Sequence, residues 1–187
     1  TSQLQPFNAT CGGGLVLNKD VYDMQPGEAL QLINFEPSTE GGYRRLNGTT
    51  KYNSTIVPQV SLANERVQMS AIFNDKIIVA RGGTVSYGGT SGAWTSLATS
   101  QGETYTYDFD KFNFSGTSKI IIATGEAAAF TVNTSFAVDV INATGGGTAP
   151  TNPKFVKTFA NHVFYGGMSN STHSILFSVP FSEDNFT

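Results

Sequence analysis

With 187 residues the chain can bury one sizeable core, with room for a small appendage; its apolar share of 39% is ordinary for a globular protein. Charge is sparse, 11 Lys and Arg against 14 Asp and Glu for a net −3, which excludes the broad basic surface that general nucleic-acid binding needs. No apolar run reaches the roughly 20 residues of a membrane-spanning helix, and Cys11, the single cysteine, excludes an intrachain disulfide or a thiolate metal cage.

Solubility therefore rests on the abundant Thr, Ser and Asn side chains, a surface common in extracellular and virion β-proteins. The first ten residues lack the charged-then-apolar pattern of a signal peptide. Opening on Thr1 implies processing or a start further upstream.

Residues 1–30 read as an extended arm, with the Gly12-Gly13-Gly14 triplet and a Pro26-Gly27 turn as its punctuation. Cys11 is expected to be a free thiol in that arm. Ala29–Phe35 alternates well enough to predict a strand. Pro37 to Gly42 turns the chain and Tyr43–Leu46 returns, so 31–66 is expected to hold a β-hairpin with a five- or six-residue connection.

From Val67 a repeat takes over. Lys76-Ile-Ile-Val-Ala80, Lys119-Ile-Ile-Ile-Ala123 and His162-Val-Phe-Tyr165 begin 43 residues apart, and Tyr87 maps onto Phe130 by the same step. A constant interval in the low forties, with strands inside each unit, is the signature of β-propeller blades. The spacing predicts an all-β chain with about three four-stranded antiparallel blades, at 67–98, 103–141 and 154–187.

Unit one is expected to run Val67–Phe73, Lys76–Ala80, Thr84–Tyr87 and Trp94–Leu97, with turns at Asn74-Asp75 and Gly82-Gly83. Unit two follows as Thr104–Asp108, Lys119–Thr124, Ala129–Val132 and Ala137–Ile141. Unit three is Phe155–Phe159, His162–Tyr165, Ser174–Ser178 and a last strand near Phe186. The linker 142–150 is low in complexity. Second strands are almost continuously apolar, as burial on both faces requires, whereas third strands are more polar and alternate, as expected farther from the propeller axis. Propellers close with about four to eight blades. Three would leave open apolar faces at both ends, to be covered by more of the same polypeptide, by another copy or by another protein.

Chemistry is thin. His162 and His173 lack metal-ligand spacing, and His162 stands where Lys76 and Lys119 stand in the other units, a polar strand end. Asp108 with Asp110, or Glu183 with Asp184, lacks the ligand density of a calcium loop. No nucleophile elbow or phosphate loop occurs, so no catalytic residue, metal or cofactor is expected. Eight Asn-x-Ser/Thr triplets, from Asn8 to Asn185, are more simply explained by the liking of Asn, Ser and Thr for β-turns than by glycosylation. Trp94, Tyr87 and Tyr165 are the candidates for stacking a sugar, if the chain is a carbohydrate-binding or adhesion module.

Leu32–Gly48, with Asn34-Phe-Glu-Pro37 and Gly41-Gly-Tyr43 followed by Gly48, resembles the N-terminal motif of phage tail nozzle proteins (tail tubular protein B). Val163-Phe-Tyr-Gly-Gly167, Ile175–Ser178 and Phe181–Phe186 look like their later blades, and Gly92–Thr95 fits the same type. The likeness covers roughly residues 12–187 of a family whose members are usually much longer. It implies a virion structural protein in the tail, not an enzyme, ringed with copies of itself around the DNA exit channel and touching other tail or neck proteins. A head-completion or neck protein is a related assignment. Tyr43, Arg44 and Arg45 become candidate assembly contacts, with subunit carboxylates or DNA phosphates as partners. Solvated charges on a hairpin explain the two arginines equally well. No membrane contact is implied.

Overall fold

The computed structural model describes residues 13–16, 18–25, 27–29, 31, 33–37, 43–46, 48–60, 66–114 and 116–186. Cys11 lies outside them. Contacts divide the chain into two compact units, Thr1–Thr50 and Lys51–Thr187. Among the described residues it is an all-β structure whose helix is confined to a 3-10 turn, Val21–Asp23.

In the first unit, β1 (Gly14–Leu15) pairs in parallel with β2 (Glu28–Ala29). Lys19 Nζ donates to Glu28 Oε1 at 2.7 Å, and Gln25 N donates to Glu28 Oε2 at 2.9 Å. Those bonds hold the Glu28 carboxyl below its ordinary pKa, the one from Lys19 most. The expected extended arm therefore folds back on itself over 14–29. The strand expected over Ala29–Phe35 is also revised. Asn34 adopts φ 60 and bends the chain before β3 (Phe35–Pro37), which pairs with β4 (Tyr43–Arg45) as the expected hairpin.

The second unit holds three antiparallel meanders. The first sheet is β5 (Val67–Phe73), β6 (Lys76–Arg81), β7 (Thr84–Gly88) and β8 (Thr95–Ala98). The second is β9 (Asp108–Phe114), β10 (Thr117–Ala123), β11 (Phe130–Asn133) and β12 (Val138–Val140). The third has β13 (Phe155–Phe159), β14 (His162–Met168) and β15 (Ser171–Phe177).

Turn chemistry explains the tight hairpins. Asn74 and Asp75, Gly82 and Gly83, and Ala160 and Asn161 all have positive φ at both central positions. That backbone matches the right-handed twist of the flanking strands. The 43-residue step also has a structural meaning. Ile78, Ile121 and Phe164 point to one side of their sheets, here called the front, while Ile77, Ile120 and Val163 point to the back. Front of the first sheet packs on back of the second, and front of the second on back of the third.

Four expectations are corrected. The first strand of the second sheet is Asp108–Phe114 and not Thr104–Asp108, because the hairpin closes at Gly116 (φ 80), directly before β10. Tyr87 and Phe130 are not equivalent: Tyr87 pairs with front-facing Ile78, whereas Phe130 pairs with back-facing Ile122. A one-residue slip in pairing reverses every side chain of a strand. The expected alternation of the polar third strands fails in the first two sheets, where Thr84, Ser86 and Thr131 are all inside, whereas β15 of the third sheet is mostly exposed. No strand forms near Phe186; instead Val179 N donates to Asn185 O at 2.8 Å and Phe186 N to Gly146 O at 3.0 Å, which folds the segment back. The third sheet is left with three strands and an open β15 edge.

Candidate functional site

The seam between the first and second sheets is built from alternate residues. Met69, Ala71, Phe73, Ile78, Ala80 and Val85 meet Ile120, Ile122, Phe130 and Val132. Phe136, held at φ 62 by its turn, stacks on Tyr87 with ring centroids 4.0 Å apart. At one margin, Tyr107 N donates to Gln68 O at 3.2 Å, and the Tyr107 hydroxyl to Gly102 O at 2.6 Å. Burial pushes that phenol well above its ordinary pKa. Glu126 Oε2 accepts from Glu103 N at 2.7 Å, and bonding from Thr104 leads the effects that hold its carboxyl below the usual range. Gly102, at φ 90, is needed there: a Cβ would stand 1.8 Å from Glu126 Oε2.

The seam between the second and third sheets uses charge as well as apolar contact. Phe112, Phe114, Ile121, Ala123 and Ala129 meet Val156, Val163 and Tyr165. β13 pairs with β14 along one edge only. Along its other edge, Val156 N donates to Asp108 Oδ2 at 3.0 Å and Thr158 N to Asp110 Oδ2 at 2.7 Å. Two residues apart on β9, the carboxylates thus meet alternate N–H groups of β13, which a strand of the same period presents on one side. Burial alone would raise the Asp110 pKa, but bonds from the Thr158 hydroxyl and N–H, the Lys111 N–H and the Lys157 charge hold it below normal.

The same carboxylates are one of the two pairs weighed above for calcium. Here both are spent on backbone donors. Glu183 pairs with Lys119, and Asp184 accepts from the Ser182 hydroxyl. His162 Nδ1 lies 2.5 Å from Ser178 O, in keeping with a structural strand-end role. Among the described residues, no group of three or more His, Cys, Asp or Glu is placed to hold a metal.

The aromatic trio considered for sugar stacking is not assembled. Tyr165 is wholly buried and its hydroxyl donates to Glu183 O at 2.7 Å; burial, with the Glu183 and Asp184 charges, pushes its pKa up. Tyr87 is covered by Phe136. Trp94 lies over Gly88 and donates from Nε1 to Thr55 O at 2.9 Å.

Tyr43, Arg44 and Arg45 sit together on β4 of the first unit. Arg44 Nε donates to Glu36 Oε1 at 2.6 Å. Arg45 is exposed beside a polar hollow of about 630 Å³ that Asn34 and Thr49 also line. The Tyr43 hydroxyl is buried without a hydrogen-bond partner among the described residues.

The residues that form an exposed apolar face on the third sheet were not foreseen from the sequence. Phe155, Phe159, Phe164, Ile175 and Phe177 share the front of the third sheet, by their pairing on β13, β14 and β15. Phe155 is 62%, Phe159 73%, Ile175 71% and Phe177 56% exposed. A groove of about 380 Å³ runs along this face between Phe155, Phe164 and Ile175. The alternation Phe155-x-Lys157-x-Phe159 was the available signal, and it marks a two-faced strand rather than an edge. Comparison of the chain with protein-family profiles, curated proteins and solved structures finds no match.

Proposed function

We propose that this chain is a structural component of a bacteriophage virion, a tail nozzle-type subunit whose sheets are blades of a β-propeller. Its work is contact: with copies of itself in a ring, and with other tail or neck proteins. The observation that carries the reading is the second sheet, buried on both faces between neighbours of the same construction. A stack of that kind is a rigid, wedge-forming body with strand-connecting loops free to meet partners. The motif at Leu32–Gly48 is what favours a tail nozzle over other propellers. Extended apolar surface on the third sheet supports an assembling protein, since soluble monomers rarely expose large contiguous apolar patches.

Immunogold labelling of purified particles with antibody to this chain tests the assignment. Label at the tail tip, with a ring density around the channel in averaged images, is the expected result. Label at the head–tail junction would transfer it to a neck protein. Particles free of the chain would overturn it.

A further inference from the structure

The front of the third sheet continues an interface that already occurs twice within the chain. Ile78 on the first sheet and Ile121 on the second are each the front-facing residue of a seam, buried against the back of the next sheet. Phe164 holds the same position 43 residues later, with Phe155, Lys157, Phe159, Ile175 and Phe177 around it and, among the described residues of this unit, no further sheet packed on that face.

At the other end of the stack, the back of the first sheet is only partly covered. Trp94 lies over Gly88, and the segment 53–57 is held there by Arg81 Nη1 to Val57 O at 2.9 Å and Asn53 Nδ2 to Gly89 O at 3.0 Å. The β5 side of that face stays open, with Val67 57% and Ile72 67% exposed. Both ends of the stack are thus largely apolar, with Lys157 the charge on the front and Arg81 that on the back, and they are the front and the back of one repeating seam.

We propose that the occupant of the third sheet's front is a second copy of this chain, seated by the back of its first sheet. Two copies joined this way at both ends close a six-bladed propeller with two-fold symmetry. Six lies inside the range of about four to eight blades at which propellers close. Head-to-tail seams form closed rings when the rotation between bodies allows it, and closure leaves neither apolar end in water. The proposal rests on the propeller reading above and deepens it by naming the partner and the two faces.

Sedimentation equilibrium of the whole chain tests it. The expected species is a dimer, twice the 19.9 kDa chain mass. Phe177→Asp, on the front, and Ile72→Asp, on the back, should each raise the dimer dissociation constant by about 10-fold or more, as expected when a charge is put into an apolar contact. Both positions are exposed in the single chain, so circular dichroism and melting of the monomers should be unchanged. Mixing the two variants should restore dimer, because one copy keeps an intact front and the other an intact back.

A monomer at all concentrations would overturn the proposal. So would an Ile72→Asp variant that dimerises normally, which would mean two fronts meeting face to face. Neither result touches the virion assignment, which particle labelling decides without reference to self-association.

Discussion

Asp110 on the second sheet and Thr158 on the third are joined twice: Asp110 Oδ2 accepts from the Thr158 N–H and from its hydroxyl, each at 2.7 Å. With Asp108 beside it, this carboxylate supplies acceptors to the edge of β13 that has no strand partner. Replacing Asp110 with Ala would leave the Thr158 N–H without its acceptor, at a cost of about 1–3 kcal/mol. Urea unfolding should show that loss as a lower midpoint. A midpoint equal to that of the parent would mean the two sheets are held by apolar contact alone.

Acid should loosen both seams. The Asp110 and Glu126 carboxyls have folded pKa values below their free values of 3.8 and 4.5. Between the folded and free values the unfolded chain binds more protons, so stability rises with pH there. The contribution is complete above about pH 5 and disappears as pH falls through the folded values. Urea midpoints measured from pH 2.5 to 6 should therefore fall towards acid, and less steeply in Asp110→Asn. An identical slope in that variant would remove Asp110 from the account.

Ile121 is wholly buried in the front of the second sheet, against Val156 and Val163 of the third. Ile121→Ala should cost about 2–5 kcal/mol, the transfer term plus an unfilled cavity. Ile72→Ala, exposed in the single chain, should stay within about 0.5 kcal/mol when the monomer is measured at concentrations too low for copies to associate. Chemical denaturation of the pair measures the contrast. Equal losses would show that the two faces of the stack are not differently covered.

Gly88→Ala should displace the only tryptophan. A Cβ at Gly88 would stand 2.7 Å from Trp94 Cε3, too close for the ring to stay. The ring would swing off and lose its bond to Thr55 O. Tryptophan emission should shift to the red, with stability lower by about 1–3 kcal/mol. Unshifted emission would mean that the backbone at Gly88 moves instead.

Much of the sheet plan was legible before any coordinate. The apolar runs at Ile77–Val79, Ile120–Ile122 and Val163–Tyr165, separated by Asn-Asp, Gly-Gly and Asn turns, announce three meanders, because tight turns and side-chain alternation act over a few residues. The hairpin at Tyr43 was legible for the same reason. The exposed front of the third sheet was not, although open ends were expected. Whether Phe159 or Ile175 is covered depends on which neighbour its face meets.

Alternation and turn residues by themselves determined the all-β class, the hairpins and the facing of each second strand, since the 43-residue step carries Ile78 to Ile121 and Phe164 with their direction kept. Only the tertiary structure decided that Tyr87 and Phe130 face opposite ways, that Asp108 and Asp110 serve the β13 edge, and that the third sheet stops at three strands. Those outcomes turn on pairings between residues far apart in the chain. A slip of one residue costs little locally, yet it decides which side chains enter a core.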